Sequence, residues 1–90
     1  MKAVRHIVKG IVQGVGFRYY VVQQATRLGL TGYVKNQPDM SVEVYLEGPE
    51  DACDQMKRLL QTGPPSARVR EIETEPRTPT NQWNSFHVEY

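Results

Sequence analysis

Apolar residues recur along this chain in two rhythms. From Val4 to Val12 the run is rich in β-branched residues, which predicts a strand. Its alternation is imperfect, as expected where both sides are partly covered. From Phe17 the spacing becomes helical, with Phe17, Tyr20, Val21, Gln24, Ala25 and Leu28 on one face and Gly29 placed to end the helix. Thr31 to Asn36 predicts a second strand. Gln37-Pro38-Asp39-Met40 reads as a turn, with the fixed φ of Pro38 suited to the second position of a type I turn. Ser41 to Glu47 alternates cleanly: Val42, Val44 and Leu46 face one way, Glu43, Tyr45 and Glu47 the other. The two strands predict a hairpin.

Gly48-Pro49-Glu50-Asp51 opens a second helix, because proline suits a first turn and the acidic residues complement the helix dipole. Ala52, Cys53, Met56, Leu59 and Leu60 form its inward face, and Gly63-Pro64-Pro65 stops it. Ala67 to Glu73 predicts a fourth strand. Thr74 to Gln82 is polar, carries Pro76 and Pro79, and reads as an exposed loop. Ser85 to Tyr90 closes the chain as a strand with Phe86, Val88 and Tyr90 on one face. The order β-α-β-β-α-β, plus a short final strand, predicts an α+β fold: a ferredoxin-like split β-α-β sandwich, with two helices on one face of a mostly antiparallel sheet. Right-handed crossovers would set the first and third strands side by side at the centre. They would also bring Gly14–Arg18 near Lys35 and Asn36. A chain of 90 residues predicts a single domain, 1–90.

Composition narrows the field. The formal net charge is +1 and the pI about 7.9, with no basic stripe, so a nucleic-acid partner is not expected. The single cysteine, Cys53, rules out an internal disulfide and lies on an apolar helical face, which predicts a buried core thiol. The N-terminus lacks the apolar stretch of a signal peptide, and no run approaches the length of a membrane span. A cytoplasmic protein without a membrane partner is expected. His6 and His87 fall on different strands, away from the cysteine, which predicts surface or edge positions and no metal site. Trp83 reads as a loop anchor.

The chemistry concentrates in Ile11-Val12-Gln13-Gly14-Val15-Gly16-Phe17-Arg18. A strand stops at two glycines set one residue apart, and a helix begins at once. Glycine lets the backbone turn tightly and present its N–H groups to a ligand. A helix N-terminus directly behind such a turn favours anions, and Arg18 adds a permanently charged planar fork suited to phosphate. The simplest functional reading is a phosphate cradle; a plain tight turn followed by a solvated arginine is its structural alternative. The stretch does not match GxxxxGK[ST], and Tyr19 stands where a dinucleotide fingerprint needs its third glycine.

Gly10-Ile11-Val12-Gln13-Gly14-Val15-Gly16-Phe17-Arg18 resembles the signature of the acylphosphatase family. Gly32-Tyr33-Val34-Lys35-Asn36 is a second match, and Val42-Glu43 followed by Glu47-Gly48-Pro49-Glu50 a weaker third. The resemblance implies the same ferredoxin-like fold and hydrolysis of small-molecule acyl phosphates to a carboxylate and inorganic phosphate. It implies Arg18 as the phosphate-binding arginine and Asn36 as the residue that positions the attacking water. The backbone of Gln13, Gly14, Val15, Gly16, Phe17 and Arg18 would hold the phosphoryl oxygens. Inorganic phosphate would be product and inhibitor, no cofactor or metal would be required, and the protein would be a monomer. One departure stands out: the family usually has Asp-Gly in the following hairpin, whereas here Asp39 precedes Met40 and follows Pro38, which leaves the turn shape open and does not touch Arg18 or Asn36.

Three other readings share this fold. A non-catalytic module that binds a phosphorylated metabolite would use the same cradle and differ only in turnover. An RNA-binding domain would need basic and aromatic residues on the sheet face, where Ser41–Glu47 offers two glutamates and one tyrosine. An acylphosphatase-like piece of a larger maturation enzyme is disfavoured by the start at Met1 and the match running to Tyr90.

Overall fold

The computed structural model describes residues 1–90. The chain forms β1 (Lys2–Ile11), α1 (Phe17–Arg27), β2 (Thr31–Asn36), β3 (Val42–Gly48), α2 (Glu50–Thr62), β4 (Arg68–Arg77) and β5 (Phe86–Glu89). The sheet order is β4-β1-β3-β2-β5. All pairings are antiparallel except β2 with β5. The split β-α-β arrangement is therefore present, with β1 and β3 adjacent at the centre. Val42, Val44 and Leu46 of β3 join Phe17, Val21 and Ala25 of α1 and Met56 and Leu60 of α2 in one buried cluster. Cys53 is buried in the same cluster. No helix is long and apolar enough to cross a membrane.

The polar face of β3 departs from expectation. Glu43, Tyr45 and Glu47 do point away from the helices, yet all three are buried. The cover is the segment read as an exposed loop. Its first part, Thr74–Arg77, continues β4, where Pro76 is tolerated because β4 is an edge strand. The remainder crosses the sheet and is pinned by one carboxylate. Glu47 accepts hydrogen bonds from Tyr45 Oη, from the Thr80 N–H (2.8 Å) and hydroxyl (3.0 Å), and from the Asn81 N–H (3.1 Å). Burial alone would push this carboxyl up; those donors outweigh it and hold it below the usual carboxylate range. Trp83 then packs over Tyr33 and Tyr45, whose rings stack 5.6 Å apart.

His6 is the second correction. It was expected at the surface or an edge, but it is 1% exposed on the central strand β1. It shares strand parity with Val4 and Val8, so it faces the helices. Burial, with the positive charges of Lys57 and Lys2 beside it, lowers its pKa from 6.5 to about 4. The sign follows from linkage. Unfolded chains bind the proton below pH 6.5 while the folded protein resists it until about pH 4, so stability present above pH 6.5 is lost as pH falls through that window. The loss from this residue is about 3 kcal/mol. Denaturant melts of wild type and His6→Gln between pH 7 and 4 check it: the wild-type curve should be the steeper. Equal slopes would remove His6 as the source of acid sensitivity.

Candidate active site

The five residues Val12–Gly16 join β1 to α1. Val12 and Phe17 are each 1% exposed, so both ends of the loop are sunk in the core. Phe17 thus has a structural side chain, and only its backbone lies free at the helix start. Between these anchors Gly14 (φ 74°) and Gly16 (φ 78°) take the left-handed conformation that a side chain would strain. The space where their Cβ atoms would sit is open.

This geometry leaves donors unused. The N–H groups of Gln13, Gly14, Val15 and Gly16 reach no backbone acceptor, and the first turn of any helix leaves further N–H groups without intrahelical partners. The two helices contrast here. α2 carries Glu50 and Asp51 in its first turn, whereas α1 has no acidic residue there and no side-chain cap on Gly16. The positive end of α1 is therefore not neutralised by a side chain of its own first turn or cap.

Gln13 fixes where this loop points. Its side-chain Nε2 donates to the carbonyls of Gln37 and Ser41, both at 2.9 Å. The loop is thereby tied to the β2–β3 hairpin, which presents Asn36 at the end of β2. The hairpin itself turns on a Met40 N–H bond to the Gln37 carbonyl (3.1 Å) and on Asp39, which accepts from the Ser41 N–H (3.0 Å). Met40 adopts φ 76°. It occupies the left-handed position where glycine carries no penalty, so the departure at Met40 keeps the turn closed and places the strain on one residue.

Arg18 is half-buried, with its guanidinium 5.4 Å from the centre of the Tyr90 ring. Tyr90 follows Glu89, which lies level with Lys35. Arg18 therefore stands at the end of the sheet where Asn36 ends β2, and it forms no ion pair with a carboxylate. Asn36 Oδ1 is buried without a hydrogen-bond partner. A buried acceptor without a partner is uncommon in a folded chain. Lys35 is exposed beside it. The fold thus brings the Gln13–Arg18 stretch and Asn36 to one place. Two contributors escaped sequence reasoning: the Gln13 side chain as a clamp and Tyr90 as the ring under Arg18. Both depend on strand register, which no local pattern reports.

A cavity of about 520 Å³ lies elsewhere, on the sheet face away from the helices, lined by Arg5, Tyr33, Glu43, Tyr45, Arg77 and Trp83 among others. Burial and hydrogen bonds to Glu43 and Glu47 push the Tyr33 and Tyr45 phenols up to about 12, so neither takes part as a phenolate. An anion gripped by backbone N–H groups needs a shallow loop rather than a deep cavity. No group of three His, Cys, Asp or Glu side chains is arranged to hold a metal ion.

The sequence model of the acylphosphatase family matches residues 4–88. This chain belongs to the acylphosphatase family. An acylphosphatase of Caldivirga maquilingensis is 51% identical over 88 residues, covering 97% of this chain and 93% of the relative. The crystal structure of the acylphosphatase from Bacillus subtilis superposes with a TM-score of 0.96 at 38% identity, covering 100% of both chains. The structure of HypF from T. kodakarensis matches with a TM-score of 0.87 at 37% identity, covering 100% of this chain but 12% of that one. This acylphosphatase fold therefore occurs both as a whole chain and as a small part of a longer one.

Proposed function

We propose that this chain hydrolyses the carboxyl–phosphate bond of small-molecule acyl phosphates, with residues 1–90 acting as one catalytic domain. The observation that carries the reading is the meeting, at one end of the sheet, of an anion-ready loop and a buried amide acceptor without a partner. The N–H groups from Gln13 to Arg18 receive the phosphoryl oxygens. Arg18, free of any carboxylate, adds its charge to the same oxygens. Asn36 Oδ1 accepts an O–H from one water and holds it in line with phosphorus.

The chemistry requires little else. The leaving group is a carboxylate with a pKa near 4, so it departs without a general acid. Water forms the new P–O bond as the P–O bond to the acyl group breaks, releasing carboxylate and inorganic phosphate. An amide cannot take the water's proton near neutral pH, so a phosphoryl oxygen receives it. Such a transfer rests on positioning and charge stabilisation. On this reading inorganic phosphate is product and competitive inhibitor. All proposed site residues come from one chain, which suits a monomer. The test is phosphate release from benzoyl phosphate by the purified protein; saturable release at a rate far above the spontaneous one is expected. Binding of phosphate without turnover would favour a metabolite-binding module instead.

No step above passes through a metal. Dialysis against a strong chelator should therefore leave kcat and KM unchanged. A loss of activity restored by added magnesium or zinc would overturn the mechanism.

A further inference from the structure

The cavity of about 520 Å³ on the sheet face away from the helices has no part in the proposed reaction. Asn36 shares strand parity with the core residue Val34, whereas Glu43 stands on the opposite face. The cavity volume lies within the roughly 300–1,000 Å³ typical of small-molecule sites. Neighbouring strands make its floor: Arg5 of β1 is opposite Tyr45 of β3, and Tyr45 is opposite Tyr33 of β2. The segment that crosses the sheet supplies Trp83, whose ring centre lies 5.3 Å from that of Tyr33.

One ion pair in this cavity is incomplete. Glu43 is 9% exposed, and its Oε2 accepts from Arg5 Nε and, at 3.0 Å, from Tyr33 Oη. Glu43 Oε1 accepts from no group of the chain. Neither Nη of Arg5 donates a hydrogen bond, and Glu75 stays 3.8 Å from Nη1. These atoms are not sealed in. The fully enclosed side-chain polar atoms without a partner are His6 Nε2 and Asn36 Oδ1 alone. Glu43 Oε1, the Arg5 Nη groups and Trp83 Nε1, which also has no partner in the chain, therefore reach solvent.

Their chemistry narrows the ligand. An open carboxylate oxygen takes an N–H or O–H, and the guanidinium beside it gives N–H to an acceptor. Arg5 is already paired with Glu43 and Arg77 with Glu75, so a charged ligand would have to compete with existing pairs. The Tyr33 and Tyr45 hydroxyls are occupied by Glu43 and Glu47, which leaves their rings, with Trp83, as faces for a flat ligand. An uncharged planar heterocycle with an N–H directly beside a carbonyl, the lactam edge of a purine or pyrimidine, meets all of these demands. Glu71, Glu73 and Glu75 stand in a row on the adjoining edge strand and oppose a phosphate backbone, which favours a free base over RNA.

We propose that the cavity over Arg5, Glu43 and Tyr45 binds a free nucleobase or nucleoside with a lactam edge, whose N–H donates to Glu43 Oε1 and whose carbonyl accepts from Arg5 Nη. The site does not rest on the acyl-phosphate reading, since its ligand carries no phosphate and none of its residues belongs to the glycine loop or is Asn36.

The chain has one tryptophan, so a single indole Nε1–H signal in a 1H–15N NMR spectrum reports on this cavity. Inosine and uridine are titrated separately into the intact protein at pH 7, each beside its N-methylated form, 1-methylinosine or 3-methyluridine. Saturable displacement of the Trp83 signal by at least one of the two parent nucleosides is expected. Its methylated form should bind about tenfold more weakly, as the loss of one hydrogen bond to a charged group implies. Glu43→Gln keeps the side-chain shape and removes the charge, and should weaken the parent nucleoside by a similar factor. Saturation by one nucleoside alone supports the site and fixes the ring size it takes. A linear response to both, or equal affinity for parent and methylated forms, would overturn the proposal. A folded Glu43→Gln chain with wild-type affinity would do the same; if that variant does not fold, the methylated pair on the wild-type protein decides alone. Binding of oligouridylate without binding of either nucleoside would overturn it in favour of RNA.

Discussion

Replacing Arg18 by alanine is expected to lower turnover of an acyl phosphate by roughly 10²–10³, the range typical for loss of one pre-organised donor to a developing anion. The guanidinium makes no ion pair with a carboxylate, and its known neighbour is the Tyr90 ring at 5.4 Å. Its removal therefore breaks no buried ion pair and should leave the fold intact. Inhibition by inorganic phosphate should weaken at the same time, because the same charge meets product and transition state. Arg18→Lys is expected to fail as well, since an ammonium cannot reproduce a planar two-pronged contact. Steady-state kinetics on folded variants, with phosphate as inhibitor, check both. Near-normal kcat in Arg18→Ala would remove this residue from the mechanism.

Asn36 should show a different signature. Its amide carries no charge with which to hold phosphate, but its buried oxygen has no hydrogen-bond partner within the chain. Asn36→Ala is therefore expected to lower kcat by at least about tenfold while the inhibition constant for inorganic phosphate stays near wild type. That split marks an interaction made mainly in the transition state. If Asn36 only shapes the hairpin, the variant would instead lose thermal stability and keep its kcat. Measuring melting temperature and kinetics on one preparation separates the two roles.

Much of this site is local, and local features are legible in a sequence. The two glycines, Arg18 directly behind them and Asn36 at the end of a short strand all stand in contiguous stretches whose residue types limit their geometry. The helices and the second strand of the hairpin were legible for a related reason: α1, α2 and β3 each repeat one apolar period along their length. What stayed hidden depends on contacts between distant segments. Thr80 and Asn81 lie in an exposed loop, as expected, but their anchoring by Glu47, more than thirty residues away, has no local signal. The end of β4 was hidden by Pro76, which an edge strand tolerates and a central one does not. His6 is instructive in another way. Its parity with Val4 and Val8 was readable, but the polar residue type pointed to the surface. The Gln13 clamp and the Arg18–Tyr90 contact needed the register of the hairpin and of the parallel β2–β5 pair.

The central claim is that water, placed by Asn36, attacks phosphorus while the loop and Arg18 hold the phosphoryl group. Hydrolysis of benzoyl phosphate by the purified protein in 18O-labelled water tests it most directly. Enzyme-dependent turnover with one 18O in the released phosphate and none in the benzoate is predicted. Label in the benzoate would place the attack on the acyl carbon and contradict the account, as would a rate no greater than that of the reaction without protein.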